Sequence, residues 1–169
     1  MSLSADIAKW DGKSKTAIVQ IYNRYVARPD FLQEVVEAFD NANLQSGATW
    51  LLKHHFDEGG DALDPQLVRE VYRSTPDLVH WDAKLHILQC VEQLPIPRSE
   101  LPVAEGFIRR CLKDDAKFVR AWAYSSFHEL AVQFPEYRPE VSQMLADALA
   151  TETAGSVLSR VRRKLRQGF

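Results

Sequence analysis

Two adjacent histidines, His54 and His55, are the most metal-like feature of the chain. Neighbouring side chains on a helix project about 100° apart, so this pair does not chelate one ion, and a metal site needs three or four ligands. His55 keeps register with Leu51, Leu52 and Phe56, as a packed histidine would. Carboxylate pairs stand at Glu34/Glu37, Asp57/Glu58 and Asp114/Asp115, each at a helix end or on an acidic outer face, where solvated charge is the ordinary state. The two cysteines, Cys90 and Cys111, lack a CxxC spacing and lie in apolar helical patterns. Free buried thiols in a reducing compartment are expected, with no base or resolving partner beside them. No glycine-rich phosphate loop, GxSxG elbow or HExxH pair occurs. The sequence therefore assigns no catalytic residue, no metal and no cofactor, and points to a binding protein rather than an enzyme.

Composition agrees with that direction. A chain of 169 residues, 46% hydrophobic and 26% charged, is long enough to bury one core, and its seven glycines are few for a β-rich protein. A net charge of −2 and a pI near 6.2 argue against general phosphate-backbone binding. The start, Met-Ser-Leu-Ser-Ala-Asp, has neither the basic nor the apolar segment of a leader, and no run of eighteen apolar residues is present. A cytoplasmic protein without membrane partners is the expectation.

Whatever chemistry these residues perform must be positioned by helices. Prolines mark the starts: Pro29, Asp64-Pro65, Thr75-Pro76, Ser99 with Pro102, and Pro135 with Pro139. A proline in the first turn loses no helical hydrogen bond. Between them run stripes at helical spacing: Phe31, Val35, Ala38, Phe39; Leu67, Val68, Val71, Tyr72; Leu101, Ala104, Phe107, Ile108, Cys111, Leu112; and Val141, Met144, Leu145, Ala148, Leu149. A second series alternates with these, at 47–56, 78–94, 117–134 and 154–165, and a lone helix at 16–26 precedes both. Each series repeats at about 33 to 38 residues, the mark of helix-pair repeats. One domain over 1–169 is predicted, an all-α solenoid of about four pairs plus an N-terminal helix.

The third pair carries a family resemblance. In the stretch from Leu112 to Ala123, Asp114 in the turn precedes Val119-Arg120 by five and six residues, and Ala123, Phe127 and Leu130 follow at helical steps. This resembles the HEAT repeat, whose recurring core is a turn aspartate, a Val-Arg pair and a small residue one turn on. Physically, Asp114 would cap the second helix, Arg120 would reach the turn carbonyls or that carboxylate, and Ala123 would permit close crossing. The second pair has Ala83-Lys84 where Val119-Arg120 stands; the first and last match by apolar spacing alone. The resemblance implies a right-handed α-α superhelix. It does not carry over the chemistry of HEAT-like DNA alkylation-repair glycosylases, which set an aspartate one helical turn from a tryptophan. Here Ser14, His54, Leu85 and Ser126 follow Trp10, Trp50, Trp81 and Trp122 at that step.

In solenoids the second helices tend to line the concave side. Their stripes outside the core offer Trp50 and Lys53, His80 and Lys84, Lys117, Arg120, Tyr124 and His128, then Arg160 and Arg163 within a basic run. As a binding surface this is a ladder of cations with aromatics between, suited to an acidic peptide or a phosphate backbone. As structure, Arg120 braces a turn, the tryptophans fill the core, and the last cations answer a helix dipole. The first helices carry acid instead, at Asp30, Glu34, Glu37 and Asp40. The functional expectation is a protein-interaction or scaffold module that binds a protein or acidic peptide on the concave face. A nucleic-acid-binding relative of the alkylation-repair proteins ranks behind it, as does an accessory subunit of an enzyme like the HEAT-like bilin lyases. The apolar stripe Val157, Leu158, Val161, Leu165 would pair two copies into a homodimer if nothing covered it.

Overall fold

A computed structural model describes residues 2–169; Met1, the first residue of the Met-Ser-Leu-Ser-Ala-Asp start, lies outside them. It contains ten α-helices and no strand among the described residues: α1 (Leu3–Ala8), α2 (Lys15–Tyr25), α3 (Phe31–Glu37), α4 (Gln45–Asp57), α5 (Pro65–Ser74), α6 (Trp81–Cys90), α7 (Leu101–Cys111), α8 (Lys117–Gln133), α9 (Arg138–Thr151) and α10 (Gly155–Gln167). None is long and apolar enough to cross a membrane.

Local chemistry accounts for several boundaries. The Asp64 carboxylate accepts the Gln66 and Leu67 amides at 2.8 and 3.0 Å, Pro65 takes the first helical position, and Leu67, Val68, Val71 and Tyr72 turn inward. Pro102 lies in the first turn of α7 above its buried stripe Leu101, Ala104, Phe107, Ile108 and Cys111. Thr75-Pro76, by contrast, starts no helix. Thr75 donates back to the Tyr72 carbonyl at 2.7 Å, and residues 75–77 form a 3-10 turn that closes α5. Leu78 is extended and buried, so α6 starts three residues later than the spacing suggests; it also ends early, passing into a 3-10 turn at Val91–Gln93. Ser99 caps nothing either, since its hydroxyl faces Glu100 within another 3-10 turn.

Helices α4, α6, α8 and α10 pack side by side in that order, each against the next. Helices α3, α5 and α7 follow one another as a second row, with α3 on α4 and α7 on α8, while α9 packs on both α8 and α10. Apolar side chains fill the space between, among them the fully buried Phe39, Leu51, Leu52, Ile87, Leu88, Phe127, Leu130, Val157 and Val161. Polar bonds across neighbouring helices join residues 30 to 38 apart: Lys84 to Asp114, Arg120 to Glu152, Ser46 to Asp82, Thr49 to His86 and Ser126 to the Leu88 carbonyl. That separation is close to the 33 to 38 residues at which the apolar stripes recur in the sequence.

Helix α1 is absent from the periodic reading. Ser2 caps it through the Ala5 amide at 3.3 Å, and Leu3 and Ile7 are buried against α2 and α3. Its Asp6 accepts Arg24 Nη1 at 2.5 Å and the Tyr25 hydroxyl at 2.9 Å, both from α2. These bonds hold the carboxyl below its ordinary range.

Candidate functional site

The ten residues expected to form one cationic stripe divide into two groups. Most of the first group are held by the protein itself. Lys53 pairs with Asp57 one turn on, and Trp50 stacks on His54 with ring centroids 4.7 Å apart. His80 donates its Nε2–H to the Ala42 carbonyl at 2.9 Å, bracing the loop before α4. Lys84 meets Asp114 at 3.0 Å. Arg120 donates from Nη1 to the carbonyls of Asp114 and Asp115, 3.0 Å each, and from Nε and Nη2 to both oxygens of Glu152 at 3.1 and 3.0 Å. So Arg120 does brace the turn. Asp114 does not cap α8 as expected: its carboxylate accepts the Ala116 amide at 2.9 Å, one residue before the helix, and serves Lys84.

His128 is a clear departure. It is 1% exposed rather than part of an accessible stripe, because α8 is enclosed on several sides and Ala121, Ser125 and Ala131 are buried as well. Its Nε2–H donates to the Gly168 carbonyl at 2.8 Å, and its ring stacks on Phe169. Burial lowers its pKa from the ordinary histidine value. His55 is packed as expected, with the Tyr22 hydroxyl on Nδ1 and the Asp61 carbonyl on Nε2. A carbonyl only accepts, so Nε2 carries the proton and Tyr22 donates.

The tryptophans do not fill the core. Trp81 is 54% exposed, and Trp10, Trp50 and Trp122 are half-buried. In the apolar stripe of α10, Val157 and Val161 are buried where α8 packs, Leu158 is half-buried and Leu165 is exposed, as is Phe169 beyond the helix.

The second group is what remains: Lys117, Tyr124, Arg160 and Arg163. Three of these are cations with no carboxylate within salt-bridge distance among the described residues. Arg160 and Arg163 line an open pocket of about 330 Å³ between the N-terminal halves of α8 and α10, together with Phe118, Trp122, Ser156 and Ser159. The Arg160 guanidinium lies 3.7 Å from the Trp122 ring centroid, a close cation–π contact. Burial, followed by repulsion from Arg163, lowers the Arg160 pKa. Lys117 hangs over the face of Phe118, which is 49% exposed. No acidic residue lines this pocket. A groove on the other row, between α3 and α5, has the opposite character, with Glu37, Asp40, Glu70 and Asp77 around Arg73. Arg73 is itself engaged by Glu100 at 2.7 Å.

Phe118, Ser156 and Ser159 escaped the sequence reading, and Trp122 was placed in the core. A signal for them existed. Residues 156, 159, 160 and 163 share one helical face, and residues 118 and 122 are one turn apart on α8. The thiols offer no competing site: both cysteines are free and buried, and burial pushes each up to about 12, away from a reactive thiolate. No family model, curated protein or solved structure matches this chain.

Proposed function

We propose that this chain is a HEAT-like α-solenoid that binds an acidic partner protein, with the contact centred on the α8–α10 pocket rather than spread along a four-pair ladder. The observation carrying this reading is that Arg160 and Arg163 have no carboxylate partner among the described residues and share an acid-free pocket with Trp122 and Phe118. A partly dehydrated cation stacked on an indole is poised to exchange water for an anionic group. The side-by-side row α4–α6–α8–α10 and the polar bonds spaced by one period support the solenoid arrangement. Self-association through α10 has less support, since Val157 and Val161 of its apolar stripe are buried where α8 packs.

The test uses Trp122 as reporter. In a chain with Trp10, Trp50 and Trp81 replaced by phenylalanine, titration with poly-glutamate is expected to change Trp122 fluorescence. Arg160→Gln with Arg163→Gln is expected to remove the response while the far-UV helical signal stays native. A response unaffected by that double substitution would refute the site.

A further inference from the structure

The same pocket has more hydrogen-bond donors than a carboxylate can use. Ser156 Oγ, on a residue of the pocket wall, is buried and has no hydrogen-bond partner among the described residues. A serine hydroxyl reaches any staggered position by rotation about one bond, so it is a donor held in reserve. Ser156 also sits in the first turn of α10, whose N-cap is Ala154 and supplies no capping side chain. The Ala154 amide is taken by Glu152, and the Val157 and Leu158 amides by the Ala154 carbonyl. The Gly155 and Ser156 amides find no partner among the described residues. Glu152, the nearest acid in sequence, is already neutralised by its two bonds to Arg120. One and two turns further on, Arg160 and Arg163 present two forked guanidinium groups on the helix face that carries Ser156.

We infer that the α8–α10 pocket is a receptor for a phosphate monoester on a partner protein, read by Arg160, Arg163 and Ser156 with Trp122 holding Arg160 in place. This deepens the acidic-partner reading and rests on it. Two guanidinium forks, a hydroxyl and free first-turn amides exceed what two carboxylate oxygens accept, but suit the three oxygens and nearly double charge of a phosphorylated side chain. A polynucleotide fits less well. Arg160 occupies a face of Trp122, so no base stacks on that side, and the chain has a net charge of −2 and an acidic groove between α3 and α5. The exposed Phe118 at the rim offers an apolar contact for a residue flanking the phosphate.

The experiment measures binding of four labelled probes to the full chain by fluorescence anisotropy. Three are degenerate peptide libraries, with a fixed phosphoserine, serine or glutamate; the fourth is a single-stranded oligonucleotide. The phosphoserine library is expected to bind about tenfold more tightly than the glutamate one, with inorganic phosphate competing. Arg160→Gln with Arg163→Gln should abolish this preference. Ser156→Ala should weaken it by about threefold or more, and Arg69→Gln on α5 should leave it intact. Equal binding of the phosphoserine and glutamate libraries, lost in the arginine double variant, would overturn the phosphate inference and leave the acidic-partner reading standing. Tighter binding of the oligonucleotide would overturn both in favour of nucleic acid. Absence of binding by every probe to a chain with a native helical spectrum and melting temperature would also overturn both.

Discussion

Arg120 on α8 and Glu152 at the end of α9 form a two-point ion pair, with Nε and Nη2 at 3.1 and 3.0 Å from the two carboxylate oxygens. The same guanidinium holds the carbonyls of Asp114 and Asp115, so one side chain joins the turn before α8 to the connection before α10. Both partners are mostly shielded, at 21% and 13% side-chain exposure, and the pair lowers the Glu152 pKa. Arg120→Ala would leave two carbonyls and a half-buried carboxylate without their donors. A loss of about 2 to 3 kcal/mol is expected in denaturant unfolding. Arg120→Lys should recover less than half of it, since a single ammonium cannot match the fork. A wild-type midpoint in Arg120→Ala would refute the bracing role.

This residue also marks what was legible in the sequence. The spacing of Asp114, Val119 and Arg120 gave the turn and the brace, and apolar periodicity gave nine of the ten helices among the described residues, α1 being the exception. The exception is physical: α1 has six residues, too few for a period, and its burial depends on docking to α2 and α3. Thr75-Pro76 misled because the same dipeptide that can open a helix here closes one, with Thr75 bonding backwards to Tyr72. The site was half legible. Sequence spacing set Lys84, Arg160 and His128 equally on outer stripes, yet Lys84 meets Asp114, His128 is buried beneath Phe169, and Arg160 lines a pocket that holds no acid. Lys53 finds Asp57 one turn on, but Lys84 and Arg120 are engaged by acids 30 and 32 residues away, which a helical wheel does not contain.

Acid sensitivity follows from His86. The Thr49 hydroxyl donates its only hydrogen to the Gln45 carbonyl at 2.7 Å, so at 3.0 Å it accepts from His86 Nδ1–H. Burial lowers the His86 pKa from 6.5 to about 4. Between those values the unfolded chain holds the proton and the folded chain does not. The contribution is therefore fully present above about pH 6.5 and is lost as pH falls towards 4, by up to about 3 kcal/mol. His86→Gln keeps a donor for Thr49 without titrating. The stability difference between wild type and this variant, measured from pH 7.5 to 4, should shift in the variant's favour by that order. A pH-independent difference would contradict the assignment.

The cysteines provide a test of core integrity. Cys90 and Cys111 are 1% and 2% exposed, and burial pushes both thiols up to about 12. At pH 8 the folded chain should resist a thiol-specific disulfide reagent for hours, and denaturant should release two equivalents at once. Fast labelling of one thiol under native conditions would mean that its helix opens locally.

Gly47 tests whether α1 belongs to the fold. A Cβ at this position on α4 would lie 2.6 Å from Ile7 Cγ2 and 3.4 Å from Trp10 Cε3, so the glycine is what lets α1 and its following turn close onto α4. Ile7 is β-branched and buried, and so has little freedom to retreat. Alanine in this first turn of α4 would otherwise favour the helix by at most about 1 kcal/mol. The clash should outweigh that gain, giving a net loss of about 1 to 2 kcal/mol, with amide exchange in Leu3–Ala8 accelerated well before that in α8. The control is a double-mutant cycle. Ile7→Ala removes the opposing methyl, so Gly47→Ala in that background should become neutral or stabilising. If Gly47→Ala costs the same with and without Ile7, α1 does not pack on α4 through this contact.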